Sequence, residues 1–434
     1  MSHQEAGSCK ENGLFGFLSK LIDNSADGEL SEDTGEIRDF LGRGLSDEVS
    51  EALDAYDESQ QQSLWDDLSE LYADPLQKKG LTADPNASYG LLGFMGVKYD
   101  KQGNYSEAGQ YLTLKLTGKF PNAQYMSMQI YRGQPFQTSE DVGDVLSDFE
   151  IQANNGTNPF QTGVPEDEGD FEIFITPNKN KEKCKNHIYY EPRSAPSRSA
   201  VISGFYRVYL PEGQEITKAD LPRIEAFDED GDQVKPRFVQ LIDTWYPRIP
   251  GAKLASNLVI PERKTLPWIN LDCVSSGNPS GLGSSHDLQY IGSFSKVPYG
   301  KYVAVEFRAP ALYFGPPHAV ENPAVRYWSV CSVYFPTLTT MNSLACAPDS
   351  PEARNVKLIF GKDRPGARAQ AGRLGAEFLP DTRESDDDVL TIMLRNLLAT
   401  RAFKPQAYKG NFAPRGKVYS LRELMELEPG DELT

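Results

Sequence analysis

The stretch Asn322–Tyr334 reads NPAVRYWSVCSVY, and an earlier stretch, Pro121–Tyr131, reads PNAQYMSMQIY. Each opens its apolar run with Tyr-x-Ser. Side chains of a strand alternate between its two faces, so Tyr327 and Ser329 share one face while Trp328 and Val330 share the other. Such a strand has an aromatic, hydroxyl-bearing side and an apolar side. Its recurrence is either chance or the trace of one module written twice.

The neighbouring segments recur in the same order. After AQYMSMQIY come DFEIFITP and SAVISGFYRVYLP; after VRYWSVCSVY come RNVKLIFG and DDVLTIMLRNLLA. An arginine sits inside the last segment of each set. Tyr125 and Arg207 are 82 positions apart, and Tyr327 and Arg395 are 68. Loops absorb such a difference. Upstream, YLTLKLTGKF sets Leu112, Leu114 and Leu116 against Thr113, Lys115 and Thr117, the period of a half-buried strand. In SAVISGFYRVYLP, by contrast, Val201, Phe205 and Val208 do not keep one parity, which predicts a twisted or bulged strand. DFEIQANNGTNPFQTG reads as an acidic loop. FDEDGDQV reads as a hairpin turn about Asp230-Gly231, since its aspartates lack the spacing of a calcium loop.

These patterns predict a mostly β protein. Two related antiparallel β-sandwich-like modules stand in tandem behind a helical N-terminal preface. The divisions are a flexible acidic N-terminus over 1–37, the preface over 38–80, a first β module over 81–235, a second over 236–405, and a tail with a short helix over 406–434. The preface rests on Val49, Leu53, Tyr56, Leu64, Leu68 and Leu71 at near-helical spacing, with Ser46 or Asp47 able to cap its start.

The 434 residues are rich in turn formers, with 36 glycines and 30 prolines. They carry 62 acidic against 44 basic side chains, a net charge of -18. That balance argues against nucleic acid and anionic membranes, which are recognised by basic surfaces. Five cysteines form no CxxC, so neither a disulfide framework nor a zinc ribbon is written. With no secretory leader and no long apolar run, a cytoplasmic protein is expected.

VRYWSVCSVY, SLACAPDS, VKLIFGKDRPG, AEFLP and LTIMLRNLL follow one another as in the bacterial domains of unknown function numbered 1214, and the chain resembles that family over roughly residues 88–405. The first half, with AQYMSMQIY and FYRVYLPEG, resembles related proteins carrying a YFSFQ-type strand. The resemblance implies a largely β protein with sandwich-like cores and brings no activity with it. The family's Asn-Trp before Leu-Pro is Glu377-Phe378 here.

Catalytic motifs are sparse. The four histidines, His3, His187, His286 and His318, show no metal-ligand spacing, so no metal site and no cofactor are expected. His318 still draws notice, because rigid prolines precede it in GPPHAV. Ser127 and Ser329 are not in GxSxG. Arg207 and Arg395 carry the most tension, because each lies inside an apolar strand, where an unpaired buried charge costs several kcal/mol. Four readings are open for them: an outward face, an ion pair with an acid such as Asp148 or Asp349, a fork for a carboxylate or phosphate ligand, or a transition-state clamp.

The ligand-binding candidates are Arg207, Arg395, Tyr125, Tyr327, Trp328 and His318. The expectation is small-molecule or glycan binding in a cleft between the two modules. The alternatives are a cofactor-independent enzyme acting on a small anionic or sugar-like substrate, and a structural protein that assembles as a homo-oligomer.

Overall fold

The computed structural model describes residues 84, 86–96, 111–132, 142–164, 167–177, 185–190, 201–211, 220–234, 264–270, 287–334, 339–346, 353–381 and 389–434. The acidic N-terminus and the helical preface expected before residue 81 lie outside the described residues. The described chain is mostly β, built of several antiparallel sheets that pack as sandwiches.

The first part contains β1 (Ala87–Met95), β2 (Thr113–Lys119), β3 (Ala123–Arg132), β4 (Val142–Ser147), β5 (Ala153–Gly156), the short helix α1 (Pro159–Thr162), β6 (Gly169–Pro177), β7 (His187–Tyr190), β8 (Val201–Pro211), β9 (Arg223–Phe227) and β10 (Gln233–Val234). One sheet runs β1–β8–β3–β4, and its partner runs β10–β9–β2–β6–β5, with β7 parallel to β6. Between them lie Leu92 and Phe94 from β1, Leu114 and Leu116 from β2, Met126 and Met128 from β3, and Ile173 and Ile175 from β6, all fully buried. Each such side chain contributes about 1.5–3 kcal/mol over its exposed state. The period-two reading of β2 matches this directly: Leu114 and Leu116 point inward while Thr113, Lys115 and Thr117 are half-buried.

The second part contains β11 (Ile269–Asn270), β12 (Leu288–Lys296), β13 (Tyr302–Ala309), β14 (Ala311–Leu312), β15 (Ala324–Val325), β16 (Tyr327–Tyr334), β17 (Thr339–Ala345), β18 (Arg354–Gly361), helix α2 (Pro365–Arg373), β19 (Glu377–Pro380), β20 (Val389–Leu397), α3 (Gln406–Lys409), β21 (Arg415–Tyr419) and α4 (Leu421–Met425). Here one sheet runs β11–β12–β20–β16–β17 and the other β19–β18–β13–β21. Val305, Leu358 and Phe360 of one meet Ile291, Val330 and Ile392 of the other. The outer face of β13 and β18 is covered by Ala367 and Ala371 of α2 and by Leu424 of α4. A Cβ on Gly361 would stand 2.2 Å from the Tyr302 ring, so the close approach of that ring requires glycine.

The order β12–β20–β16–β17 matches β1–β8–β3–β4, and the parallel strand β19 on β18 matches β7 on β6. Register agrees too: Ser127 lies opposite Arg207 as Ser329 lies opposite Arg395, and Tyr89 and Tyr290 flank the same two arginines from the other side.

Two local expectations are corrected. The β8 strand is not bulged, since it pairs in unbroken register with both β1 and β3. Its parity is unreadable because it is a central strand buried on both faces. The segment expected as an acidic loop holds a 3₁₀ turn (Asp148–Glu150), β5 and α1, whose N-cap Asn158 accepts from the Phe160 amide. The hairpin about Asp230-Gly231 joins β9 to β10, with Gly231 at φ +83.

Candidate functional site

β3 and β8 turn Tyr125, Ser127, Gln129, Arg207 and Tyr209 to the face opposite the sandwich core. β16 and β20 turn Tyr327, Ser329, Cys331 and Arg395 the same way. The two faces meet. The Tyr209 ring lies 5.0 Å from that of Tyr327 and 5.8 Å from that of Tyr125.

Each arginine is held by an aspartate from the other part of the chain. Arg207 Nη2 donates to Asp287 Oδ1 at 3.0 Å and Oδ2 at 2.8 Å. Its Nε donates to Ser127 Oγ at 3.1 Å, and Nη2 also reaches Gln129 Oε1 at 3.0 Å. The Tyr125 hydroxyl donates to Asp287 Oδ2. Across the junction, Arg395 Nη1 stands 3.4 Å from Asp84 Oδ2. That same oxygen accepts from Tyr327 OH at 2.7 Å and Ser329 Oγ at 2.5 Å. The exchange is reciprocal: Asp84 precedes β1 and serves β20, while Asp287 precedes β12 and serves β8. Tyr-x-Ser recurs because one strand face must present both hydroxyls beside an arginine.

Electrostatics follow from burial. Removal from water works against the charge on Arg207, but Asp287 together with Tyr209, Tyr125 and Tyr131 outweighs it, so its pKa lies well above the usual arginine value. Burial likewise opposes the Arg395 charge, while Cys331 and Asp84 raise its pKa. Burial pushes the phenols of Tyr125, Tyr209 and Tyr327 well above their ordinary value, with Asp287 adding to Tyr125 and Asp84 to Tyr327. These tyrosines are neutral hydrogen-bond donors at physiological pH and poor bases. Burial also pushes the Cys331 thiol up to about 11 and Cys346 up to about 12. Both are therefore unreactive.

A third buried pair crosses the junction. Arg326, fully buried, reaches Asp148 Oδ2 through Nη1 at 3.1 Å and donates through Nη2 to the Gly315 carbonyl. Its guanidinium stands over the rings of Tyr313 at 5.0 Å, Phe314 at 5.1 Å and Phe160 at 5.9 Å. Burial raises the Asp148 pKa to about 7, against the pull of Arg326 and of the Phe149 amide.

Of the six candidates read from sequence, Arg207, Arg395, Tyr125 and Tyr327 converge at the junction. Trp328 does not; it lies on the opposite face of β16, in the core, with its ring edge-on to Phe307 at 5.5 Å. His318 does not either, being exposed in a 3₁₀ turn at Pro317–Ala319. His318→Ala is expected to change unfolding free energy by less than about 0.5 kcal/mol in a denaturant titration. The ion-pair reading of the two arginines holds, but with different acids. Asp148 takes Arg326 instead, and Asp349 lies outside the described residues. Sequence reasoning missed Asp84, Asp287 and Arg326, and Asp84 is 243 positions from its partner Tyr327.

Among the described residues no group of three His, Cys, Asp or Glu could hold a metal ion, and no helix is long and apolar enough to cross a membrane.

No family model matches the chain, and no curated protein does. Among solved structures, an uncharacterized protein from Burkholderia cenocepacia is similar over 93% of this chain and 94% of its own, at 12% identity and a TM-score of 0.50. That likeness concerns the fold alone. A protein from Vibrio parahaemolyticus aligns over 82% of this chain and 96% of its own at 10% identity, and its TM-score of 0.37 supports no argument.

Proposed function

We propose that this protein binds a small molecule, a glycan unit or another amphipathic compound, at the junction where the two Tyr-x-Ser sheet faces meet. The same reading takes the two parts as copies of one sandwich-like module, packed about an approximate two-fold axis. The observation that carries it is the chemistry of the joint. Both faces present tyrosine hydroxyls and buried guanidinium–aspartate pairs. A joint that only held two sandwiches together would be at least as stable with aliphatic side chains, because buried ion pairs add little over apolar packing. Junctions of this kind are frequent binding places, where aromatic rings supply contact area and hydroxyls fix orientation.

A second reading, a cofactor-independent enzyme, draws on Tyr125 and Arg207 converging on one carboxylate. The raised phenol pKa values weigh against tyrosine as a general base, and binding is the better-supported reading.

Thermal-shift screening of the protein against sugars, alcohols, organic acids and nucleotides tests the proposal. A compound that raises the melting temperature should lose its effect in Tyr209→Phe and Tyr327→Phe. A response that persists unchanged in both variants places the ligand elsewhere. No response, together with a dimer or larger species by light scattering, favours a structural, self-associating protein.

A further inference from the structure

The chain's negative charge is unevenly placed. Residues 23–74 hold 17 acidic and 2 basic side chains, a net of -15 within the whole chain's -18. Residues 401–417 have the opposite pattern: Arg401, Lys404, Lys409, Arg415 and Lys417, with no acid among them. This stretch leaves β20 as a loop closed on itself by backbone hydrogen bonds from Phe403 to Thr400, Gln406 to Phe403 and Phe412 to Gln406. The rings of Phe403 and Phe412 pack 5.1 Å apart inside it, which leaves Arg401, Lys404 and Lys409 exposed around it. Arg308 of β13 joins them, also exposed, with its guanidinium over the Phe412 ring at 5.6 Å. Arg415 has Glu306 at 3.7 Å, but among the described residues Arg308, Arg401, Lys404 and Lys409 have no ion-pair partner. Like charges gathered on one loop repel one another and attract an anionic neighbour.

The described chain begins beside this loop. Asp84 Oδ2 accepts from Tyr327 OH at 2.7 Å. Tyr327 lies opposite Leu397, and Arg401 follows Leu397 within about 14 Å of chain. Asp74 precedes Asp84 by a stretch that spans up to about 35 Å when extended, so the tether is long enough for the acidic segment to reach the loop. Exposed ion pairs are individually weak. A short tether, however, holds the partners at a roughly millimolar effective concentration, and several weak pairs then act together. We infer that the acidic segment, residues 23–74, docks in cis on the basic loop around Arg308, Arg401, Lys404 and Lys409. Docking neutralises the loop and keeps other polyanions off it.

The response to salt tests it by its sign. X-ray scattering follows the radius of gyration of the full chain from about 0.01 M to about 1 M salt, as the screening length falls from about 30 Å to about 3 Å. An acidic segment held on the loop is released by screening, so the chain expands. An undocked one is stretched by its own repulsion and contracts when screened. Wild type is expected to expand. The variant Arg401→Gln/Lys404→Gln/Lys409→Gln changes only exposed side chains; it should be larger than wild type in low salt and contract as salt is added. Carbodiimide coupling maps the contact, with the partly exposed pair Lys115–Glu172 as internal control. In low salt it should join Lys404 or Lys409 of the monomer to carboxylates of residues 23–74, and these links should be lost at high salt. A wild-type chain that contracts as the variant does overturns the inference. Couplings of the segment to other lysines alone, with the control pair joined, overturn it too. Couplings found only between heavy and light chains of an isotope-mixed sample also overturn it, since the segment's partner would then be a second copy.

Discussion

Asp287→Ala is expected to lower the free energy of unfolding by about 3–5 kcal/mol, the cost of leaving a buried charge without its partner. Arg207 is then held by Ser127 and Gln129, two neutral acceptors, and the Tyr125 hydroxyl loses its acceptor. Arginine cannot escape by releasing its proton, because its guanidinium stays charged at any working pH even in water. The protein therefore bears the full penalty. Chemical denaturation should show the midpoint falling at unchanged slope, since the surface exposed on unfolding stays the same. The double variant Arg207→Met/Asp287→Leu removes both charges and fills similar volume. Its stability should return to within about 1–2 kcal/mol of wild type, as replaced buried pairs commonly do. An Asp287→Ala protein as stable as wild type would mean that the pair is not buried in solution and that the junction does not close as described.

The Asp148–Arg326 pair should behave differently, because its acid does have an escape. Burial lifts the Asp148 pKa to about 7 despite Arg326 at 3.1 Å. A carboxyl whose pKa is raised by folding adds stability that is complete below its unfolded value of about 4 and is lost as pH rises through the folded value. The wild type should therefore lose on the order of 2–3 kcal/mol relative to Asp148→Asn between about pH 5 and about pH 8. Parallel denaturant titrations at the two pH values read this difference directly. Equal slopes for the two proteins would show that the carboxylate is ionised throughout and that Arg326, not burial, governs it. Arg326→Met should cost less at neutral pH than Asp287→Ala, since the acid left behind takes up a proton instead of remaining a bare charge.

The two pairs also mark how far the sequence could be read. Alternation in YLTLKLTGKF gave β2 its register, because an outer sheet has one wet face and one dry face, and composition records the difference. Alternation failed for SAVISGFYRVYLP, because β8 is central and dry on both faces. LTIMLRNLL suits a helix as well as a strand by composition, yet it is the central strand β20, paired along its length with β12 and β16. Long-range pairing overrode local propensity there. At the site, Tyr125, Tyr327, Arg207 and Arg395 were legible, since an arginine in a greasy strand demands explanation and Tyr-x-Ser recurs. Trp328 suits a ligand by its chemistry but not by its place in the strand. Its parity, opposite to that of Tyr327, already placed it on the other face.

The sequence by itself determined the β class, the alternation that sets Tyr327 and Ser329 on the face opposite Trp328, and the need of Arg207 and Arg395 for either water or charged partners. Only the tertiary structure decided who those partners are. Asp84 and Asp287 lie at strand entrances with nothing local to distinguish them from surface acids. The stacking of two sheet faces brings each one beside an arginine of the other part, and folding fixes that pairing because a buried guanidinium must meet a carboxylate wherever the chain can supply one.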